Sequence, residues 1–229
     1  MESEFWHQRW ASNQIGFHEG QVNAYLARHY ADLGLAPGET VFVPLCGKSV
    51  DLRWLADQGA HVVGVELSPI AVESFFAEQG LTPRTRKEAA FTVWESGPIR
   101  LLCGDYFALT PAHLAGVHAV YDRAALIALP PERRADYIAH LDRLLPGARR
   151  TLLITLEYPQ EQMQGPPSRW RSVRCTDCSP VGASSGWASR MCWPTIHVSV
   201  RRGSRVCWNT PTASSRTVHR MLGRGIEDR

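Results

Sequence analysis

Apolar runs alternate with amphipathic segments from the N-terminus to about Pro167, and this alternation constrains the fold more than any other feature. Thr40–Cys46 and His61–Glu66 have the length and β-branched content of buried strands. Val50–Gln58, which is stopped by Gly59, has the pattern of a helix. Strands that alternate with helices require crossover connections, so the strands are expected to lie parallel with helices on both faces. The pattern predicts an α/β fold.

Six further segments continue the same order. They are a helix from about Ser68 to Glu78, a short strand Phe91–Trp94, strands Ile99–Cys103, Val117–Asp122 and Thr151–Tyr158, and a helix Pro131–Leu145. A chain of 229 residues is long enough for one core of ordinary size. We therefore expect one folded domain over residues 1–167.

The composition changes abruptly at residue 168. Residues 1–167 hold 14 basic and 19 acidic side chains, whereas residues 168–229 hold 11 arginines, no lysine and three acids. Leucine occurs 20 times before this point and once after it. We find no period of 2 or 3.6 in the tail, so the C-terminal strands of the sheet are expected to be missing or disordered. Our hypothesis is that residues 168–229 are an out-of-frame translation of a GC-rich gene.

Two functional interpretations of the tail remain as alternatives. Cys175, Cys178, Cys192 and His197 are zinc-ligand types, but their spacing matches no common finger, and we predict no metal site. Arginines with interspersed tryptophans are also typical of nucleic-acid-binding segments. Out-of-frame composition is the simpler cause of both patterns, so no nucleic acid is expected as a partner.

No window of the chain reaches the roughly 18 consecutive apolar residues of a membrane span. The start, Met1 to Glu4, is acidic where an export signal is basic. These features predict a cytoplasmic protein without a membrane partner. The six cysteines are then expected to be free thiols.

The turn after the first predicted strand, Pro44–Ser49, is where an α/β sheet would bind a ligand. A phosphate-binding P-loop needs a glycine five positions before Gly47, and Phe42 stands there. A dinucleotide fingerprint needs three spaced glycines, and this turn has one. Both phosphate-binding interpretations therefore fail.

Glu66 ends the second predicted strand, 19 residues after Gly47. A carboxylate at this position can accept hydrogen bonds from both hydroxyls of a ribose. Adenosine with an uncharged linkage fits a site with a sugar to hold and no phosphate, and S-adenosylmethionine is its commonest carrier. The alternative is that Glu66 only caps the helix that begins near Ser68.

Four stretches together carry a specific resemblance over residues 1 to about 167. They are Phe5–Trp10 with Gly16–His18, Val43–Leu52, Gly64–Ser68 and Asp122–Leu126. In order and spacing the chain resembles the bacterial thiopurine S-methyltransferases. The resemblance implies a Rossmann-like, S-adenosylmethionine-dependent methyltransferase sheet of seven strands with an N-terminal lid, here about residues 1–25.

The resemblance also implies the roles of individual residues. The cofactor would be contacted by Trp10, Leu45, Cys46, Gly47, Glu66 and Arg123, and its adenine by Asp105 and Tyr106. Arg123, the predicted catalytic residue, would grip an anionic acceptor or the cofactor carboxylate, although an ion pair with Asp122 or another neighbour is an alternative. Phe17 resembles the position that packs on an aromatic substrate, and His18 is expected at the surface.

The activity that the resemblance implies is S-methylation of thiopurines or related aromatic thiols, and of selenium or tellurium species. A monomer acting on small molecules is expected. An inactive cofactor-binding pseudo-enzyme and a nucleic-acid-binding protein stay open as alternatives. Relatives place a helix, two strands and part of the acceptor pocket after the fifth strand, so a sheet left at five strands would expose an edge and lose activity.

Overall fold

The computed structural model describes residues 3–146, 150–157 and 195–202, with side chains described for 3–146 and 150–155. The α-helices of these ranges are α1 (Ser3–Ala11), α2 (Ala24–Leu33), α3 (Asp51–Asp57), α4 (Pro69–Glu78), α5 (Ala125–Ala128) and α6 (Pro131–Leu144). The strands are β1 (Thr40–Val43), β2 (His61–Glu66), β3 (Arg84–Glu88), β4 (Phe91–Ser96), β5 (Ile99–Cys103), β6 (Val117–Arg123), β7 (Arg150–Glu157) and β8 (Thr195–Arg202).

The eight strands form one sheet in the order β3-β4-β5-β2-β1-β6-β7-β8. The central five strands, β5 to β7 in this order, are parallel, which confirms the predicted α/β class. Both edges are antiparallel. At one of them β4 turns directly into β5 through Gly97 and Pro98, and a turn of two residues joins only antiparallel strands. The parallel expectation therefore holds for the centre of the sheet alone.

Two strands were missed in the sequence. β3 reads Arg-Thr-Arg-Lys-Glu, without an apolar face, and is an exposed edge strand. β8 lies in the tail and pairs antiparallel with β7, so the expected sheet of five strands with no C-terminal strand is wrong for 195–202. The signal was present, since Ile196, Val198 and Val200 alternate with polar residues. Residues 168–194 and 203–229 lie outside the described residues. The structure therefore does not bear on the out-of-frame hypothesis or on Cys175, Cys178 and Cys192.

Helices cover both faces of the sheet. Leu26 of α2, Leu55 of α3 and Phe75 of α4 pack in one buried cluster, and Tyr137 and Leu141 of α6 belong to the other. The central strands alternate between the two clusters, as the pleat requires when both faces are buried. In the described ranges no helix is both long and apolar enough to cross a bilayer.

The topology fixes where a ligand can bind. From β1 the chain moves through β2 to β5 on one side, and it returns to β6 and β7 on the other side. The order therefore reverses beside β1, and a crevice opens at the carboxyl ends of β1 and β6.

Candidate cofactor and acceptor site

A cavity of about 640 Å³ lies at this crevice. All the predicted site residues line it, together with side chains that the sequence did not single out. The predicted residues are Trp10, Phe17, Leu45, Cys46, Gly47, Glu66, Asp105, Tyr106 and Arg123. Their placement in one cavity agrees with the sequence analysis, and their roles stay predictions.

The turn after β1 has a strained and tightly packed backbone. Leu45 and Gly47 both have positive φ angles, of 45° and 55°. A side chain at Gly47 would be strained, and its Cβ would lie 3.2 Å from the Trp10 ring. The backbone N–H of Cys46 donates to the carbonyl of Val65 at 3.0 Å, which fastens the turn to β2. Only glycine allows the lid tryptophan to pack directly on this turn.

Glu66 is a buried acid of the cavity, with 6% of its surface exposed. Its Oε2 accepts the N–H of Gly47 at 2.9 Å, and its Oε1 accepts the N–H of Ser68 at 2.8 Å. Burial raises the pKa of Glu66, and the backbone N–H groups of Ser68, Gly47 and Leu67 partly offset that rise. The cap of α4 itself is the Ser68 hydroxyl, which accepts from the N–H of Ala71. Glu66 therefore ties two strand ends together instead of serving only as a helix cap.

Cys46 is buried, and a Cβ on Gly64 would lie 2.8 Å from its Sγ. Burial, followed by the nearby Glu66 carboxylate, raises the pKa of the Cys46 thiol well above its ordinary value. A thiol that stays protonated is a poor nucleophile. Cys46 therefore packs the turn. Cys46 and Cys103 are the cysteines of the described residues, and both are free.

The N-terminal segment, which was predicted to be a lid, places an aromatic group at the cavity. Trp6 and Trp10 of α1 both meet the Phe17 ring edge to face, at 5.6 and 5.7 Å between ring centroids. Trp10 is buried, whereas Phe17 remains 38% exposed. A large apolar side chain left partly open at a cavity is typical of a surface that packs on a ligand.

Arg123 pairs with Glu19 across the cavity, with 2.6 Å between Nη2 and Oε1. The alternative partner, Asp122, is occupied elsewhere. It accepts the Tyr137 hydroxyl at 2.7 Å and the N–H of Leu126 at 3.4 Å. The ion pair considered in the sequence analysis thus exists, but its acid comes from the lid.

Asp105 and Tyr106, which follow β5 after Gly104, have structural partners within the protein. Asp105 caps the short 3-10 helix Tyr106–Ala108 by accepting the N–H of Phe107 at 2.9 Å. The Tyr106 ring stacks on Tyr137 at 4.8 Å, and its hydroxyl donates to the Tyr137 carbonyl. Both residues line the cavity, and their contact with adenine stays a prediction.

Sequence reasoning missed several cavity residues because their signal is spatial. Asp51 is 1% exposed and accepts the Tyr121 hydroxyl at 2.8 Å and the N–H of Asn23 at 2.8 Å. His18, expected at the surface, is partly buried in the cavity wall. Burial, and then the charge of Lys48, lowers the His18 pKa. No local motif announces these contacts.

The sheet has the Rossmann-like fold that is found in S-adenosylmethionine-dependent methyltransferases, with the crevice at the carboxyl ends of its strands. A methyltransferase of this class from Anabaena variabilis has a TM-score of 0.57 at 15% identity, covering 88% of this chain and 94% of that chain. The 1,6-didemethyltoxoflavin-N1-methyltransferase of Burkholderia thailandensis has a TM-score of 0.56 at 16% identity, covering 88% and 86%.

The sequence comparisons then give the family. A sequence model of the thiopurine S-methyltransferase (TPMT) family matches residues 1–176, and the chain belongs to this family. The thiopurine S-methyltransferase of Pseudomonas entomophila is 57% identical over 187 residues, covering 82% of this chain and 84% of that protein. That of Nitrosospira multiformis is 54% identical over 167 residues, covering 73% and 76%. The resemblance to this enzyme family is confirmed.

Proposed function

We propose that this protein transfers the methyl group of S-adenosylmethionine to the sulfur of an aromatic or heterocyclic thiol of the thiopurine class. One observation carries the proposal. The buried Glu66 carboxylate lines the same cavity as the Arg123 guanidinium and the open face of Phe17. An acid for a sugar, a cation for an anionic sulfur and an aromatic ring for a flat acceptor thus stand in one enclosure.

The residues fit the proposed cofactor. A carboxylate has about four acceptor positions, and the Gly47 and Ser68 N–H groups take one on each oxygen of Glu66. Glu66 therefore keeps acceptor capacity for ribose hydroxyls. The turn at Gly47 packs on Trp10 and is not a glycine-rich phosphate cradle, which fits a ligand without phosphate. Trp10 would present its ring to the sulfonium or to the amino acid portion.

The chemistry asks little of a general base. S-adenosylmethionine would supply a methyl group on its sulfonium; an acceptor thiolate would take this methyl group in line, and the thioether S-adenosylhomocysteine would leave. An aromatic thiol is largely ionised near neutral pH, so the protein has to align the sulfur and exclude water. We assign binding of the anionic sulfur to Arg123. Its guanidinium has five N–H donors, and one of its nitrogens, Nη2, contacts Glu19. Phe17 would hold the ring of the acceptor.

Several finer points belong to the same proposal. Selenium and tellurium acceptors would use the same Arg123 site as soft anions. The cytoplasmic location, the monomeric state and the division at residue 168 stay predictions. So do the roles assigned to Leu45, Cys46, Asp105 and Tyr106.

Turnover on a thiopurine with S-adenosylmethionine tests the proposal, measured on this chain and on a version whose reading frame is restored after codon 167. A methylated thiol is expected from the restored chain. A lower rate is expected from this chain, because in relatives part of the acceptor pocket follows the fifth strand. Cofactor binding without turnover by either chain would identify a pseudo-enzyme. Salt-dependent binding of single-stranded nucleic acid instead would favour the basic tail as the functional part.

Arg123→Ala is expected to lower kcat/KM for the thiol by about 100-fold, the usual cost of losing one charged donor at a reacting anion. Arg123→Lys should recover part of the loss, because it keeps the charge without the planar fork. Steady-state kinetics on the restored-frame chain give both values. Unchanged kinetics in Arg123→Ala would remove this residue from the mechanism.

A further inference from the structure

The ion pair between Glu19 and Arg123 lies where the acceptor is proposed to bind. Both side chains line the cavity, and Arg123 is 18% exposed while Glu19 is 52% exposed. A pair this exposed contributes little to stability, typically below about 1 kcal/mol. Its consequence for the cavity is larger, because it places a negative charge beside the guanidinium that an anion would use.

Each carboxylate oxygen of Glu19 has a partner within the protein. Its Oε1 contacts Arg123, and its Oε2 accepts the Asn23 side-chain amide at 3.4 Å. Asn23 in turn caps α2, and its own N–H donates to the buried Asp51. Asp51 accepts the Tyr121 hydroxyl at 2.8 Å. The Glu19 carboxylate is thus linked to Tyr121 of β6 through three polar contacts.

Two of the basic side chains that line the cavity are paired with acids. Lys48, which also lines the cavity, contacts Glu78 at 2.6 Å, and Arg123 contacts Glu19. The lowered pKa of His18, caused first by burial and then by Lys48, keeps its imidazole neutral near pH 7. A thiolate can approach the remaining donors of Arg123. A second anionic group on the same acceptor would meet the Glu19 carboxylate.

We propose that Glu19 is a specificity-determining residue, which by neutralising Arg123 selects against thiols that carry an additional negative charge. The inference rests on the proposed function, because it treats the Arg123 end of the cavity as the acceptor end. Bringing two like charges together in a partly enclosed site costs free energy, so the site binds a doubly anionic thiol less well than a singly anionic one. Without Glu19, the same guanidinium becomes a carboxylate-binding group.

The kinetic test compares two thiols of similar size, para-mercaptobenzoate and para-thiocresol, on the full chain. Glu19→Gln is expected to shift the ratio of their kcat/KM values by about tenfold toward the carboxylated thiol. Glu19→Asp, which keeps the charge, should leave the wild-type preference. Glu95→Gln is the matched control, because it removes a carboxylate paired with Arg86 on a remote edge strand. An unchanged ratio in Glu19→Gln would overturn the proposal.

A binding test on the same chains works without any turnover. Benzoate titrated calorimetrically should bind Glu19→Gln about tenfold more tightly than wild type. The gain should vanish in the double variant Glu19→Gln with Arg123→Gln, since the released guanidinium is its source. A gain that persists in the double variant, or no gain at all, contradicts the role of Glu19. If no variant methylates a thiol while benzoate still discriminates, the proposed function fails and the charge selection stands.

Discussion

Two buried carboxylates lie on either side of β1, and different hydrogen-bond donors hold them in place. Glu66 ends β2 and is held by backbone N–H groups while it faces the cavity. Asp122, near the end of β6, is 3% exposed and held by the Tyr137 hydroxyl. Asp122 has only the Tyr137 hydroxyl and a longer backbone contact as the donors described above. A buried carboxylate with so few donors is costly to ionise. Glu66 thus faces the cavity, whereas Asp122 holds the turn that follows Arg123.

Asp122 gives a pH-dependent prediction. Burial raises the pKa of Asp122 to about 6, and the hydrogen bond from the Tyr137 hydroxyl partly offsets that rise. The Asp122 carboxyl therefore binds a proton more tightly in the folded protein than in the unfolded chain. Its contribution to stability is therefore complete below about pH 4 and is lost as the pH rises through about 6. Relative to Asp122→Asn, which cannot ionise, wild type should lose up to about 3 kcal/mol between pH 4 and 7.

Urea unfolding of both proteins at several pH values measures this difference directly. Asp57→Asn, which removes an exposed carboxylate paired with Arg53, shows the background for the same chemical change. A wild-type to Asp122→Asn difference that stays constant from pH 4 to 7 would show that Asp122 does not carry this proton.

At the scale of elements, prediction succeeded where the core imposes a pattern. β1, β2 and β6 are buried on both faces, so their apolar runs stand out in the sequence. β3 was not predicted because an edge strand needs no apolar face. It is a strand through its pairing with β4, which the local sequence does not indicate. β8 was overlooked because the composition of the tail hid a short alternation, Ile196, Val198 and Val200.

The pairing of β8 with β7 can be tested by proline substitution. His197 and Val198 lie opposite Thr155 and Ile154, and successive N–H groups of an antiparallel strand point alternately toward and away from the partner. One of His197→Pro and Val198→Pro should therefore cost about 1–3 kcal/mol more than the other, because it leaves a partner carbonyl unsatisfied. Thermal unfolding compares the two. Equal and small effects would show that 195–202 add nothing to the stability of the sheet.

On the scale of the whole molecule, the candidate site gathers distant parts of the chain. The lid supplies Trp10 and Phe17, the two inner strands supply the Gly47 turn and Glu66, and β6 supplies Arg123. The motif residues were predictable because their spacing from strand ends places them at one edge of the sheet. Their partners were not, because the position of the lid, and with it the contact of Glu19, depends on packing that leaves no local pattern.

Every predicted site residue precedes residue 124, so the proposed adenosyl site takes none of its predicted side chains from the sequence after 167. The direct test is calorimetric binding of S-adenosylhomocysteine and of an analogue lacking one ribose hydroxyl, to wild type and to Glu66→Gln. Loss of the hydroxyl should weaken binding to wild type by about tenfold or more and should change binding to Glu66→Gln little, because the carboxylate is the acceptor. The same loss in both proteins would contradict recognition of the sugar by Glu66.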